Sequence, residues 1–347
     1  MASVPADSLP EPEAQSRGRA FTELIVRFRE LGILLVLLVL FGGTTIDNHL
    51  FASATSLQQL LSGASIIALL AIGETLVIVT RNVDLSIGSV LGLSAYLVGV
   101  LFVHHPHISL ALVLLAGAGI GVLCGIVNGA LVTLVRVPSL VVTLGTLYVI
   151  RGLDATWAGG NQVNSFSLPN RFNVIGYGKV AGVPYLGLIA IVAVAIATYA
   201  MRTFRTGRDL YAIGSNPEAA RLAGIPVARR VFTAFVLSGA IAGIAGVFWL
   251  AYFGSVDATA GTGYEFEVIA AVVVGGVAIF GGSGTVLGAA LGALLLNTIN
   301  SALVVVNISS SWDAAFEGGL LILAITLDRL VLLRLAPALR TRRSNRA

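Results

Sequence analysis

The sequence predicts an all-α integral membrane protein of about ten transmembrane helices with both termini cytoplasmic. Composition, the length of the apolar runs and the placement of arginine predict it. Of 347 residues, 56% are hydrophobic and 11% charged, and mean hydropathy is +0.93. A soluble domain could not cover its surface with so little charge. Apolar runs near the ~20 residues that cross a hydrocarbon layer of about 30 Å as a helix fill nearly everything after Glu30.

The runs fall at 29–46, 57–79, 84–103, 108–135, 138–157, 185–202, 230–253, 267–281, 284–304 and 313–333. Glycine is abundant at 40 residues and recurs along the runs, as at Gly117, Gly119, Gly121, Gly125 and Gly129. Such spacing lets helix backbones approach closely in lipid, where packing holds helices together. Residues 1–28, polar and Pro-rich without an apolar signal core, read as a disordered cytoplasmic tail. Residues 29–335 form the transmembrane domain with a cytoplasmic loop at 203–229, and 336–347 form a basic cytoplasmic tail.

Orientation follows from arginine, because positively charged loops stay inside. With ten spans and both termini inside, 18 of the 21 basic residues lie in or beside cytoplasmic segments, including Arg81, Arg136, the cluster at 202–230 and the C-terminal cluster. Arg151, Arg171 and Lys179 fall elsewhere. The pI near 9.5 therefore reflects topology, and a nucleic-acid partner is not expected.

Enzyme signatures are missing. His104, His105 and His107 cluster in an external turn with no Cys or carboxylate close in sequence, so no metal is expected. The glycines of 281–285 lack the Lys of a phosphate-binding loop. The single Cys124 lies within a span and reads as an inert thiol. No cofactor is expected on this chain, so its energy must come from an ion gradient or another subunit.

Charges in the spans are few, and each needs a partner, a wet cavity or an interface. Arg151 and Asp154, three residues apart on one helix face, predict an internal ion pair. Glu74, deep in the second run, is the argument for a proton-coupled carrier. Against it, the other polar residues of the runs are neutral, among them Thr75, Ser94, Thr133 and Asn300. A path lined by Asn, Ser, Thr and Gly suits a neutral polyhydroxylated solute. The candidate path residues are Ser86, Ser89, Asn128, Thr143, Thr146 and Asn297, with Asp84 capping the third helix and Gly88 allowing close backbone approach.

The loop at 202–230 carries a short amphipathic helix at 217–222: Asn216 suits the N-cap, Pro217 the first position, Glu218 the positive end of the dipole, and Gly224 and Pro226 end it. A capped helix on the cytoplasmic face is built to dock against something.

Four segments then resemble a known family: GETLVIVTRNVDLSIGSVLG (73–92), GIVNGALVTLVRVPSLVVTLGTLYVIRGL (125–153), GRDLYAIGSNPEAARLAGIP (207–226) and GTGYEFEVIAAVVVGGVAIFGGSGTVLGAALGAL (261–294). They are similar to the permease subunits of bacterial ABC importers for monosaccharides of the ribose, xylose, arabinose and rhamnose type. The resemblance runs from about 60 to 335. It implies a type II importer fold of ten helices in the cytoplasmic membrane, paired with a second permease subunit, identical or different. Two ABC ATPase subunits binding ATP and Mg, and an extracytoplasmic sugar-binding protein, would complete the assembly. On this chain the family's coupling helix falls on Asn216, Pro217, Glu218, Ala219, Ala220, Arg221, Leu222 and Gly224, and its D-L-S-x-G-S segment on Asp84, Leu85, Ser86, Gly88 and Ser89. Arg81 and Asn82 stand where many members have two glycines, and Glu317 where many have Lys. These departures are similar to the rhamnose and autoinducer-importing branches, in which two different permease chains often pair. The external loop 159–184, with Asn161, Asn170, Arg171 and Lys179, is the expected meeting place for the binding protein.

Overall fold

The computed structural model describes residues 12–309 and 312–326. Its helices are α1 (Pro12–Asp47), α2 (Ala54–Ile78), α3 (Ile87–His104), α4 (Leu110–Thr133), α5 (Ser139–Ala158), α6 (Asn170–Tyr177), α7 (Tyr185–Thr203), α8 (Arg205–Ser215), α9 (Pro217–Leu222), α10 (Val227–Phe253), α11 (Tyr264–Val274) and α12 (Val286–Val305). A further helix, α13, covers 313–326. The only strands among the described residues, Lys179–Val180 and Val183–Pro184, form a two-residue antiparallel pair in the 159–184 loop.

Seven of these helices are long and apolar enough to cross a membrane: Glu30–Asp47 of α1, then α2, α3, α4, α7, α10 and α12. The remaining three expected spans differ for local reasons. α5 forms over the expected residues, but Arg151 and Asp154 interrupt its apolar run. α11 ends at Val274, well short of 281, because GGVAIFGGSG follows and Gly276, Gly281, Gly282 and Gly284 all take positive φ. In the last run, 327–333 lies outside the described residues, as do Asp328 and the tail at 336–347. At the other end, α1 begins at Pro12, so the backbone of 12–28 is helical where the sequence suggested a tail. Pro12 suits a first helical position, and the Glu, Ala, Gln and Arg that follow favour helix.

α2 is the central helix, buried from Ala64 to Ile78. α1, α4, α5 and α7 lie outside it and turn large apolar side chains outward, such as Val39, Leu115, Val149 and Ile196, each more than half exposed. That is the pattern of a bundle whose outer solvent is lipid. The closest pairing is α4 with α10. A Cβ at Gly121 would stand 1.9 Å from the Gly239 carbonyl oxygen, and one at Gly243 would stand 2.0 Å from that of Gly117. The two backbones touch, as small-residue interfaces in membranes allow.

The connections gather at the two ends of α2. At its C-terminal end, Gly282 N donates to Val79 O (2.9 Å), Arg81 Nη2 to Ser215 O (2.7 Å) and Tyr211 Oη to Gly284 O (3.0 Å). At its N-terminal end, Gln58 Nε2 donates to Gly182 O (3.1 Å). Farther round, Val163 pairs with Val256, and Arg171 Nη2 donates to Ile108 O (2.8 Å).

Candidate translocation site and coupling helix

The chain breaks between α2 and α3. Thr80 to Ser86 leave helical geometry, and Arg81 takes a left-handed φ of 67°. This connection between two spans is enclosed by protein: Asp84 is 2% exposed, Ser86 0% and Glu74 0%. Glu74 Oε1 accepts from Asp84 N (3.1 Å), tying the break back to α2. Asp84 Oδ1 then accepts from Ser86 N (3.0 Å) and Ser86 Oγ (2.6 Å). The sequence placed Asp84 as the cap of α3. In the fold, Ser86 occupies the N-cap position with no side-chain cap bond, and Asp84 acts one step earlier through a turn closed on Ser86.

From Ser86 the polar contacts continue across three helices. Asn128 Nδ2, on α4, donates to Ser86 Oγ (2.8 Å), and Thr146 Oγ1, on α5, donates to Asn128 Oδ1 (2.8 Å). Ser89 Oγ donates to Ser86 O (2.7 Å), and Thr143 Oγ1 to Ser139 O (2.9 Å) and Val83 O (3.3 Å). Five of the six candidate path residues thus meet in one network of neutral side chains, anchored through Ser86 on the Asp84 carboxylate. Asn297 does not: its Nδ2 donates to Leu60 O (3.0 Å), where it packs over Gly63 between α12 and α2. Sequence reasoning missed Ser238, which is fully buried on α10, faces Asp84 and has no well-aligned hydrogen-bond partner. A serine among small residues gives no signal of its own.

The segment 254–263 returns from the end of α10 and rests on α3, so that a Cβ at Gly88 would stand 2.7 Å from Gly261 O and one at Gly92 2.2 Å from Ala260 O. Gly88 and Gly92 therefore lie where the two backbones come closest. The expected Arg151–Asp154 ion pair does not form within 4 Å. Arg151 Nη1 donates to the Ala260 carbonyl instead, and both Asp154 oxygens are buried without a hydrogen-bond partner. The returning segment supplies a backbone acceptor to which sequence spacing is blind.

Toward the C-terminal end of α2, α9 forms over the residues expected. Asn216 Oδ1 accepts from Glu218 N (3.0 Å) and Ala219 N (3.1 Å), Pro217 opens the helix and Gly224 leaves it at φ 79°. Ala220 is buried, while Glu218, Arg221 and Leu222 are exposed, Leu222 at 91%. α8 anchors this projection: Arg230 Nη2 on α10 lies 2.7 Å from Asp209 Oδ2, Tyr211 bonds Gly284, and the Arg81 guanidinium bonds the Gly214 and Ser215 carbonyls.

A bundle of apolar helices with outward-facing apolar side chains, a buried polar network and a projecting capped helix fits a membrane permease. Residues 56–325 match the family described as the permease component of the branched-chain amino acid transport system, and the chain belongs to that family. It is a permease component of the ABC importer class, multi-pass in the bacterial cytoplasmic membrane. It is similar to the autoinducer 2 import system permease protein LsrC of Enterobacter sp. (strain 638), 36% identical over 304 residues that cover 88% of each chain. It is also similar to the protein of that name from Escherichia coli O157:H7, 37% identical over 297 residues, 86% of this chain and 85% of the other. No solved structure matches.

Proposed function

We propose that the chain is the translocating subunit of a binding-protein-dependent ABC importer for a small polyhydroxylated solute: a monosaccharide such as rhamnose, ribose or xylose, or the autoinducer 2 for which its relatives are named. The observation that carries this reading is the Ser86–Asn128–Thr146 network of neutral side chains joining α3, α4 and α5, with Ser89 and Thr143 beside it. Hydroxyls and a carboxamide both donate and accept, as sugar hydroxyls do, so the two sets can exchange partners. The proton-coupled alternative rests on Glu74, but one of its oxygens already holds the Asp84 amide.

The chain works with two ATPase subunits that bind ATP and Mg, a second permease copy or homologue, and an extracytoplasmic binding protein that meets the 159–184 loop. All ten apolar runs cross the membrane, with both termini cytoplasmic. This agrees with the separation of the connections to the two ends of α2. Asn216 to Gly224 dock on the ATPase through the exposed Glu218, Arg221 and Leu222. ATP shifts the inward–outward equilibrium by its differential affinity for the two states. Arg81 transmits the shift, because its guanidinium grips the α8 C-terminus while its backbone lies three residues from Asp84.

In the assembled complex, Glu218→Lys with Arg221→Glu is expected to lower ATPase co-purification and uptake at least tenfold, or about 1.4 kcal/mol of docking energy, with insertion unchanged. Normal uptake by that double variant would remove the docking role of α9. Arg81→Met should keep ATPase binding while lowering solute moved per ATP hydrolysed. An unchanged ratio would exclude Arg81 from transmission.

A further inference from the structure

A cavity of 290 Å³ opens between the outer end of α10, the returning segment 254–263 and the start of α11, lined among others by Gln162, Trp249, Phe253, Asp257, Thr259 and Tyr264. We propose that it is a receiving subsite for a single sugar ring, ahead of the buried network; this inference rests on the polyhydroxylated-solute reading above. Its wall is aromatic on one side: the Trp249 and Phe253 rings lie 4.4 Å apart at 37°, and Tyr252 meets Phe253 edge-on at 4.9 Å. Its other side is polar. Asp257 Oδ1 is held by Thr259 N (2.8 Å) and Thr259 Oγ1 (2.6 Å), which fixes the carboxylate and leaves Oδ2 without a protein partner among the described residues. The Trp249 indole nitrogen is enclosed with no well-aligned acceptor, its neighbour being Tyr264.

A sugar ring has an apolar C–H face and a rim of hydroxyls that both donate and accept. The apolar face fits an aromatic wall, and the rim fits the fixed Asp257 carboxylate and the Gln162 amide. The volume lies at the small end of the roughly 300–1,000 Å³ of ligand pockets, which suits one ring rather than a chain of sugars. The position also joins it to the network. Ala260 and Gly261, part of the cavity lining, bear on Gly92 and Gly88 of α3, in the same turns that hold Ser86 and Ser89.

The test uses the complete importer in proteoliposomes with labelled rhamnose, ribose, xylose and autoinducer 2, with uptake and binding-protein-stimulated ATPase measured together. Asp257→Asn and Trp249→Leu should each lower uptake of the transported compound per ATP at least tenfold with ATPase stimulation retained, and Trp249→Phe should recover part of the loss. Should Trp249→Leu fail to insert, the exposed Asp257→Asn still decides. Wild-type uptake by Asp257→Asn would overturn the subsite and leave the transport function standing. Parallel loss of ATPase stimulation would overturn it too, by making this face a contact for the binding protein. If the wild type moves none of the four compounds, the solute-class reading fails and the subsite with it.

Discussion

Gly121→Leu is expected to abolish accumulation of folded protein in the membrane. The α4 and α10 backbones touch at this residue, where even a Cβ would stand 1.9 Å from the Gly239 carbonyl oxygen and 3.0 Å from Gly243 N. No rotamer change relieves a contact with backbone, so the helices must separate along their whole shared face. Inserting side-chain atoms into a packed interface costs about 1–3 kcal/mol when neighbours can move, and more is expected where they cannot. Gly119 is the internal control. It lies two residues away on the same helix with nothing within 4 Å of its would-be Cβ, so Gly119→Leu should leave the folded yield unchanged. The monodisperse fraction after mild-detergent extraction reads both. Equal yields would mean that α4 and α10 do not meet at the glycine faces.

Asn128→Leu is the second large effect expected, and it falls on transport rather than assembly. Asn128 joins Ser86 on α3 to Thr146 on α5 through both ends of its amide and is 1% exposed. Leucine keeps the number of side-chain heavy atoms and removes both bonds; Ser86 Oγ keeps Asp84 and Thr146 Oγ1 is left with the longer contact to Thr143 O (3.3 Å), so each lost bond costs about 0.5–1.5 kcal/mol. Uptake per folded molecule should fall at least tenfold. Asn297→Leu provides the contrast, since Asn297 bonds Leu60 on the α2–α12 face and lies outside the network. It should lower yield while leaving uptake per folded molecule near wild type. The reverse ranking would place the path along α12.

The parts legible in the sequence were local. The Asn216 cap, Pro217 and Gly224 define α9 within nine residues, so propensity and capping suffice to find it. Long apolar runs gave the central helices for the same reason. Where glycine clusters replaced a continuous run, after Val274, the helix stopped early because positive φ at Gly276 and Gly281 suits turns better than helix. The candidate site was legible as a list of residue types but not as an arrangement. Ser86, Asn128 and Thr146 lie 42 and 18 residues apart in chain order, and only packing brings them together. The Arg151–Asp154 spacing was equally consistent with an ion pair, and the contact it lost went to Ala260, 109 residues away. The segment 254–263 carries no local sequence signal of where it packs. Its return onto α3 depends on Gly88 and Gly92, whose meaning is visible only once the opposing carbonyls are in place.

This chain is expected to move its solute only when another subunit hydrolyses ATP. The most direct measurement is uptake of labelled rhamnose, ribose, xylose and autoinducer 2 into proteoliposomes containing the purified chain, alone under an imposed proton gradient or with its co-purifying subunits, binding protein and ATP. Uptake confined to the complete, ATP-supplied system is the result expected. Accumulation by the isolated chain down a proton gradient, abolished by Glu74→Gln, would contradict it and make Glu74 the coupling site of a secondary carrier.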